Sequence, residues 1–387
     1  MYPQTQKKIA EMLKGNIFPG VSYTFIDMDK TETRMVGSAA ILPERESLRE
    51  GMLYDVASLT KVIVTTTLLL QLQEEGAINF EDPVQAYLPE FPSAAVTIRH
   101  LLTHTSDLKG YIKNRDALTA DELIAALIAL TPGENLGKNV VYTDTGLLLA
   151  GFIIEKLTGK SVEKNFEERI KRPLAMTEST FHPTDPMRCV PTQNHPTRGL
   201  IRGVVHDPKA LSLGGHCGSA GLFAPMKDLI RFSRMMLHFG EWEGQRILRE
   251  ESIRTLLRDW GNVPSQPRSL GWNLIQEGED FVLWHTGYTG TFMILDLNQQ
   301  TAFILLSNRV HLKDHRPEWI AVRDELIAYI GRKPRRKQQN SKKTPLLGWR
   351  FFAVLGWTKF FRKWAAKLQL HRSGSEIQRK RVVSLSN

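Results

Sequence analysis

Cysteine is nearly absent from this chain: two residues, Cys189 and Cys217, in 387. Two thiols cannot build the disulfide framework of a small secreted domain, and both read as small buried residues rather than nucleophiles. No run of eighteen uncharged apolar residues occurs, so no segment has the length and character of a membrane-spanning helix. The 11 histidines never fall into His-Glu-x-x-His spacing, and there is no Cys-x-x-Cys, so no recognisable metal motif is present. His206, Asp207 and His216 could converge in space as metal ligands, but the preferred reading is hydrogen-bonding groups, and neither a metal nor a cofactor is expected. The first fifteen residues carry Lys7, Lys8, Glu11 and Lys14 and lack the apolar core of a secretory signal. The expected location is therefore the cytoplasm, with peripheral attachment to the inner membrane face as an extension of that reading.

Acid is scarce in one place only. From Gly331 onward there are 16 Lys and Arg against a single carboxylate, Glu376, whereas residues 1–330 carry 35 basic and 40 acidic side chains. The formal charge of +10 thus belongs to the tail, and the composition break marks a boundary. Three parts are expected: a body over 1–330, a basic linker over 331–345 punctuated by Pro334 and Pro345, and a basic amphipathic tail over 346–387. At helical periodicity Trp349, Ala353, Trp357, Phe360, Trp364 and Leu368 form one stripe, with Lys359, Arg362 and Lys363 opposite. Aromatic residues on one face and cations on the other suit an anionic membrane surface; packing of the stripe on the body is the alternative. No nucleic-acid signature accompanies the basic residues, and no nucleic acid is expected as a partner.

What the body does contain is a serine and a lysine three apart, in Ser58-Leu59-Thr60-Lys61. Positions i and i+3 share a helix face, and a serine hydroxyl becomes a nucleophile when a neighbouring base takes its proton. The pattern occurs three times. Ser106/Lys109 reads as a loop, and Ser161/Lys164 as a helix N-cap with an exposed lysine. Only Ser58 stands between an apolar approach, Leu53 to Ala57, and a long apolar run, Val62 to Leu72, at the mouth of a buried helix. Read alone, it is equally an N-cap.

Two further segments bear on that choice. Val140-Val141-Tyr142-Thr143-Asp144-Thr145-Gly146 precedes an apolar helix, and Phe281-Val282-Leu283-Trp284 leads into His285-Thr286-Gly287-Tyr288. In this order the three segments resemble the motifs of the serine β-lactamase and penicillin-binding-protein superfamily, most closely its class C β-lactamase, D,D-peptidase and esterase branch. Landmarks such as Leu101-Leu102-Thr103-His104-Thr105-Ser106, Val205-His206-Asp207 and Gly218-Ser219-Ala220-Gly221 extend the likeness over about residues 10 to 330. The resemblance implies an α+β fold in which an antiparallel sheet flanked by helices packs on an all-helical lobe, with the active site at the junction. The coarse pattern agrees, with strands near 21–27 and 34–40, helices from 58 to about 236, strands over 270–306 and a helix over 317–330.

By the same resemblance Ser58 is the nucleophile, and Lys61 and Tyr142 share its proton. Backbone N–H groups of Ser58 and Tyr288 form an oxyanion hole, while Asp144, His285, Thr286 and Gly287 contact the substrate. The implied activity is that of a serine acyl hydrolase acting on an ester, a D-alanyl peptide or a β-lactam. A catalytically weak pocket protein that binds cell-wall-like ligands is the alternative. Two departures bear on the substrate. Asp144 stands where the family often has asparagine, and a carboxylate only accepts hydrogen bonds, so it is expected to pair with Lys61. His285 stands where many relatives have lysine, and a neutral imidazole holds a substrate carboxylate less firmly. Both lean towards an esterase or specialised peptidase.

Overall fold

The computed structural model describes residues 3–28, 30–214, 216–311, 314 and 316–331. The linker beyond Gly331 and the stripe within 346–370 lie outside the described residues.

Seven strands form one antiparallel sheet. In chain order they are β1 (Gly20–Asp27), β2 (Lys30–Ala40), β3 (Glu46–Ser47), β4 (Asn273–Glu277), β5 (Asp280–Gly287), β6 (Thr291–Asp296) and β7 (Thr301–Ser307). Their spatial order is β4-β5-β6-β7-β1-β2-β3. The N-terminal strand β1 thus lies beside the last strand, β7, pairing Val21 with Ser307 and Asp27 with Thr301. Strands from the two ends of the body build one sheet, and the helical middle is an excursion from it. β2 begins at Lys30, earlier than the sequence pattern suggested, because the hairpin from β1 closes at Asp27–Lys30. Most of its early residues are exposed, so no buried alternation announced that part of the strand.

Side chains alternate across a sheet, and here the two faces feed two cores. Val21, Tyr23, Phe25, Val282, Phe292, Ile294 and Phe303 pack with Ile9, Met12, Trp319, Leu326 and Ile327. The last five come from the terminal helices Pro3–Lys14 and Arg316–Gly331. Ile26, Leu283, Met293, Leu295 and Ile304 join the larger core of the helical lobe.

At the centre of that lobe is a buried helical rod. It starts with a wide, π-type stretch, Lys61–Thr66, and continues as an α-helix, Thr67–Glu74. π-type turns concentrate at functional sites. Every residue of the π-type stretch is buried, Lys61 included. The helix Thr145–Thr158 packs beside it, apolar through Ile154 and ended by Gly159 in the left-handed conformation, φ 67°.

Candidate active site

Ser58 occupies the turn that leads into the buried rod. The turn is fixed from beneath by Asp55, whose Oδ1 accepts from Ala57 N at 2.9 Å and whose Oδ2 accepts from His206 N at 2.8 Å. Ala57 is left-handed, φ 48°, a conformation that non-glycine residues adopt at a cost. Burial pushes the Asp55 carboxyl up to about 6, even with the two backbone donors opposing that shift. Ser58 does not act as a side-chain cap. Its Oγ accepts instead from Lys61 Nζ at 2.8 Å.

Lys61 has no exposed side-chain surface, and its Nζ makes two further contacts of 2.8 Å, to Asp144 Oδ1 and to the Ser219 carbonyl. Burial opposes its charge, but Asp144 and then Tyr142 outweigh burial and raise its pKa above the usual lysine value. Asp144 likewise resists burial. Lys61 and Lys209 hold its carboxyl well below the ordinary range. The expected pairing of Asp144 with Lys61 is therefore present.

Sequence reasoning missed Lys209. It lies in the first turn of the short helix Pro208–Leu213, which Asp207 caps by accepting from Ala210 N. Lys209 Nζ is 2.7 Å from Asp144 Oδ2 and 3.8 Å from Asp207 Oδ2. The only signal in the sequence was its place two residues after Asp207, in a landmark already noted.

Tyr142 precedes the helix Thr145–Thr158, and its ring is half-exposed. Lys61 Nζ lies 5.4 Å from the ring centroid. On its other sides are the rings of His104, at 4.5 Å and 36°, and His285, at 6.1 Å. The His104 carbonyl also accepts from Val141 N at 2.9 Å, which ties the tyrosine segment to the loop after helix Ile98–Leu102. His104 and His285 are buried, and neither ring donates to or accepts from another protein group among the described residues. Burial first, then the charges of Arg268 and Lys61, keep both imidazoles neutral, far below their usual pKa. Arg268 itself is buried and brought down to about 10 by desolvation.

β5 supplies the opposite wall. β4 pairs with it only as far as Asn273–Trp284, which leaves the backbone of His285, Thr286 and Gly287 without a strand partner on that side. Alternation puts His285 on the helical-lobe face with Leu283. Thr286 is paired with Phe292, whose side chain packs with the terminal helices, so Thr286 shares the far face and offers its backbone to the site. Gly287 is required by close approach: an added Cβ would lie 2.5 Å from the Val56 carbonyl and 3.2 Å from Ala57 Cβ. Thr289 and Thr291 fasten this strand end to the segment before Ser58, donating to the Asp55 and Val56 carbonyls at 2.8 and 3.0 Å. Tyr288 stacks on His206 at 5.3 Å and 27° and donates to Asp314 at 2.6 Å.

The other residues weighed in the sequence fall elsewhere. Ser161 caps its helix by accepting from Lys164 N at 3.1 Å. His206, Asp207 and His216 do not converge: His206 pairs with Gln193, Asp207 caps a helix, and His216 pairs with Glu155. Among the described residues no group of three or more His, Cys, Asp or Glu could hold a metal ion. Both cysteines are free and buried, and burial pushes each thiol up to about 11, the range of inert thiols.

Comparison with known proteins gives a consistent result. A family model described as Beta-lactamase matches residues 5–327. A putative D-alanyl-D-alanine carboxypeptidase of Escherichia coli K12 is 28% identical over 305 residues, which is 67% of this chain and 70% of the relative. Among solved structures, a class C beta-lactamase aligns with a TM-score of 0.69 at 18% identity, covering 88% of this chain and 97% of that one. The octameric penicillin-binding protein homologue from Pyrococcus abyssi aligns with a TM-score of 0.68 at 22% identity, covering 85% and 77%.

Proposed function

The chain belongs to the beta-lactamase family, and from that premise we propose that Ser58 is the acylated nucleophile of a serine acyl hydrolase whose favoured substrates are esters, ahead of D-alanyl peptides and β-lactams. The observation that carries the reading is the fully buried Lys61 amine 2.8 Å from Ser58 Oγ, a nucleophile and base in hydrogen-bond contact. Ser58 Oγ attacks the substrate carbonyl carbon, Lys61 receives the proton, and Tyr142 relays a proton to the leaving group. Among the described residues, the backbone N–H groups of Ser58 and Tyr288 donate to no loop or turn carbonyl. Directed at the developing oxyanion, such donors are typically worth about 2.7–4 kcal/mol each. Water then attacks the ester on Ser58 and frees the enzyme.

Substrate choice follows from charge. His285 is neutral, so the β5 wall lacks the cationic side chain that many relatives place there. Asp144 adds a carboxylate close to the nucleophile. Both features disfavour an acyl donor with a carboxylate at that wall, which applies to a D-alanyl-D-alanine terminus as much as to a penicillin. The carboxypeptidase name of the Escherichia coli relative supports a peptidoglycan-derived acyl group, and the neutral wall supports small esters as working substrates. A binding-only pocket is the second reading, and the raised Lys61 pKa is what favours it. Turnover of p-nitrophenyl acetate and release of D-alanine from a D-alanyl-D-alanine peptide, each compared with Ser58→Ala, decide between them. Loss of both in the variant supports the hydrolase; equal rates in the two proteins rule out Ser58.

We also propose that the basic stripe in 346–370 docks the enzyme on anionic membrane. Its support is the aromatic and cationic pattern in the sequence. Among the described residues no helix is long and apolar enough to cross a membrane.

A further inference from the structure

We propose that Lys209 is the positioning residue that allows Lys61 to serve as a base beside a carboxylate, by holding the second oxygen of Asp144. The inference rests on the assignment of Ser58 as nucleophile and Lys61 as its base.

The difficulty it resolves is local. Lys61 Nζ has three contacts, Ser58 Oγ, Asp144 Oδ1 and the Ser219 carbonyl, all at 2.8 Å. An ammonium satisfies all three by donating three hydrogens. A neutral amine satisfies the same three differently: two hydrogens go to Asp144 and Ser219, and the lone pair accepts from the Ser58 hydroxyl. Only the second arrangement can start the reaction. Ser58 then gives its proton to Nζ as the Oγ–carbon bond forms and the carbonyl electron pair moves to oxygen. When that intermediate collapses, the bond to the leaving group breaks and a proton passes to it.

With Asp144 alone, a neutral Lys61 would strand a carboxylate that is 24% exposed, and separating a poorly solvated ion pair is strongly unfavourable. Lys209 removes that obstacle. Its Nζ is 2.7 Å from Asp144 Oδ2 and its side chain is 18% exposed. When Lys61 gives up its proton, Asp144 remains paired with Lys209 and these three groups sum to zero, with Asp207 outside the sum, 3.8 Å from Lys209. When Lys61 is protonated, the cluster carries one net positive charge, which favours release of that proton. One carboxylate between two ammoniums is thus a different device from a simple lysine–aspartate pair.

The surrounding groups leave this balance to the three. Lys61 also faces Tyr142, whose ring centroid is 5.4 Å away, and the imidazoles of His104 and His285, which are neutral. Arg268 adds positive charge near both histidines. Lys209 faces Asp144 and, at 3.8 Å, the capping carboxylate of Asp207. Lys209 is the cation in direct contact with the oxygen of Asp144 that Lys61 does not use.

The test is the pH dependence of kcat/KM for p-nitrophenyl acetate, measured on the full-length protein. Lys209→Met removes the charge; Lys209→Gln removes it but keeps a donor for Oδ2, and serves if the methionine variant fails to fold. Either is expected to move the acid limb upward by about one pH unit or more, the usual effect of one neighbouring charge. Activity near neutrality falls about tenfold in proportion. Lys209→Arg is expected to keep the wild-type limb. In Asp144→Asn/Lys209→Met the limb is expected to return to the wild-type position or below, since no carboxylate remains to hold Lys61 charged. Undiminished activity near neutrality in both neutral variants overturns the proposal, as does a double variant that retains the loss. Undiminished turnover by Ser58→Ala would instead overturn the underlying assignment of the nucleophile, so the two failures are distinguishable.

Discussion

A lysine that is fully buried, charged and in contact with a serine is a base only if something nearby makes its neutral form accessible. Ser58, Lys61 and Asp144 therefore have to be treated together. Ser58→Ala is expected to abolish ester turnover while leaving the melting temperature nearly unchanged, because the hydroxyl caps no helix and its partner Lys61 keeps two other acceptors. Asp144→Asn is expected to cost about 3–5 kcal/mol at neutral pH, the penalty for removing one partner of a buried ion pair. The sign of its pH dependence follows from the carboxyl. The folded-state pKa of Asp144 is lowered from 3.8, so its contribution is present above 3.8 and is lost as pH falls towards the folded-state value. Thermal melts of wild type and variant should therefore converge on acidification; a gap that stays constant would mean that Asp144 is not an ionised partner. At this scale the sequence was legible where chemistry is local. Ser58 and Lys61 share one turn, and a motif reading finds them. Lys209 and His104 reach the site from separate segments, and although each lies in or beside a family landmark, no local pattern predicts contact with Asp144 or Tyr142.

The elements hold these residues together through backbone proximity rather than through side-chain bulk. The end of β5 presses on Val56 and Ala57 at Gly287, and two threonine hydroxyls fasten it there. Gly287→Ala is expected to cost about 1–3 kcal/mol by overpacking. By displacing the strand end relative to Ser58 it should also lower kcat/KM on the order of a hundredfold. Full activity in a folded Gly287→Ala protein would show that the wall and the nucleophile are not coupled. Strands β5, β6 and β7 were readable as apolar runs, as was the helix that ends the body. The start of β2 was not, because an exposed strand held by its hairpin has no buried alternation. The face taken by Thr286 was also hidden, since it depends on pairing with Phe292 and on which helices cover that side.

For the whole molecule, the first strand inserts beside the last and so joins the two ends of the body, while the helical middle supplies Lys61, Tyr142, Asp144 and Lys209, with the Tyr142 ring 6.1 Å from that of His285 on β5. Composition and periodicity indicated strands at both ends and helices between; a single antiparallel sheet came only through resemblance, and the strand order only from the structure, because pairing between distant strands leaves no local mark. The charge asymmetry of the chain belongs to this scale too. A protein cut after Gly331 is expected to keep its ester turnover and lose co-sedimentation with anionic vesicles, at roughly 1 kcal/mol per basic residue near the surface. Equal sedimentation of the two proteins would remove the membrane role. The central claim, acylation of Ser58, is tested most directly by intact-mass measurement of rapidly quenched reactions with p-nitrophenyl acetate and with a penicillin, beside Ser58→Ala. The account predicts an acetyl adduct that maps to Ser58 and is absent from the variant, with little or no penicillin adduct. An acetyl adduct of equal yield on Ser58→Ala, or ester turnover in wild type with no adduct at any quench time, would contradict it.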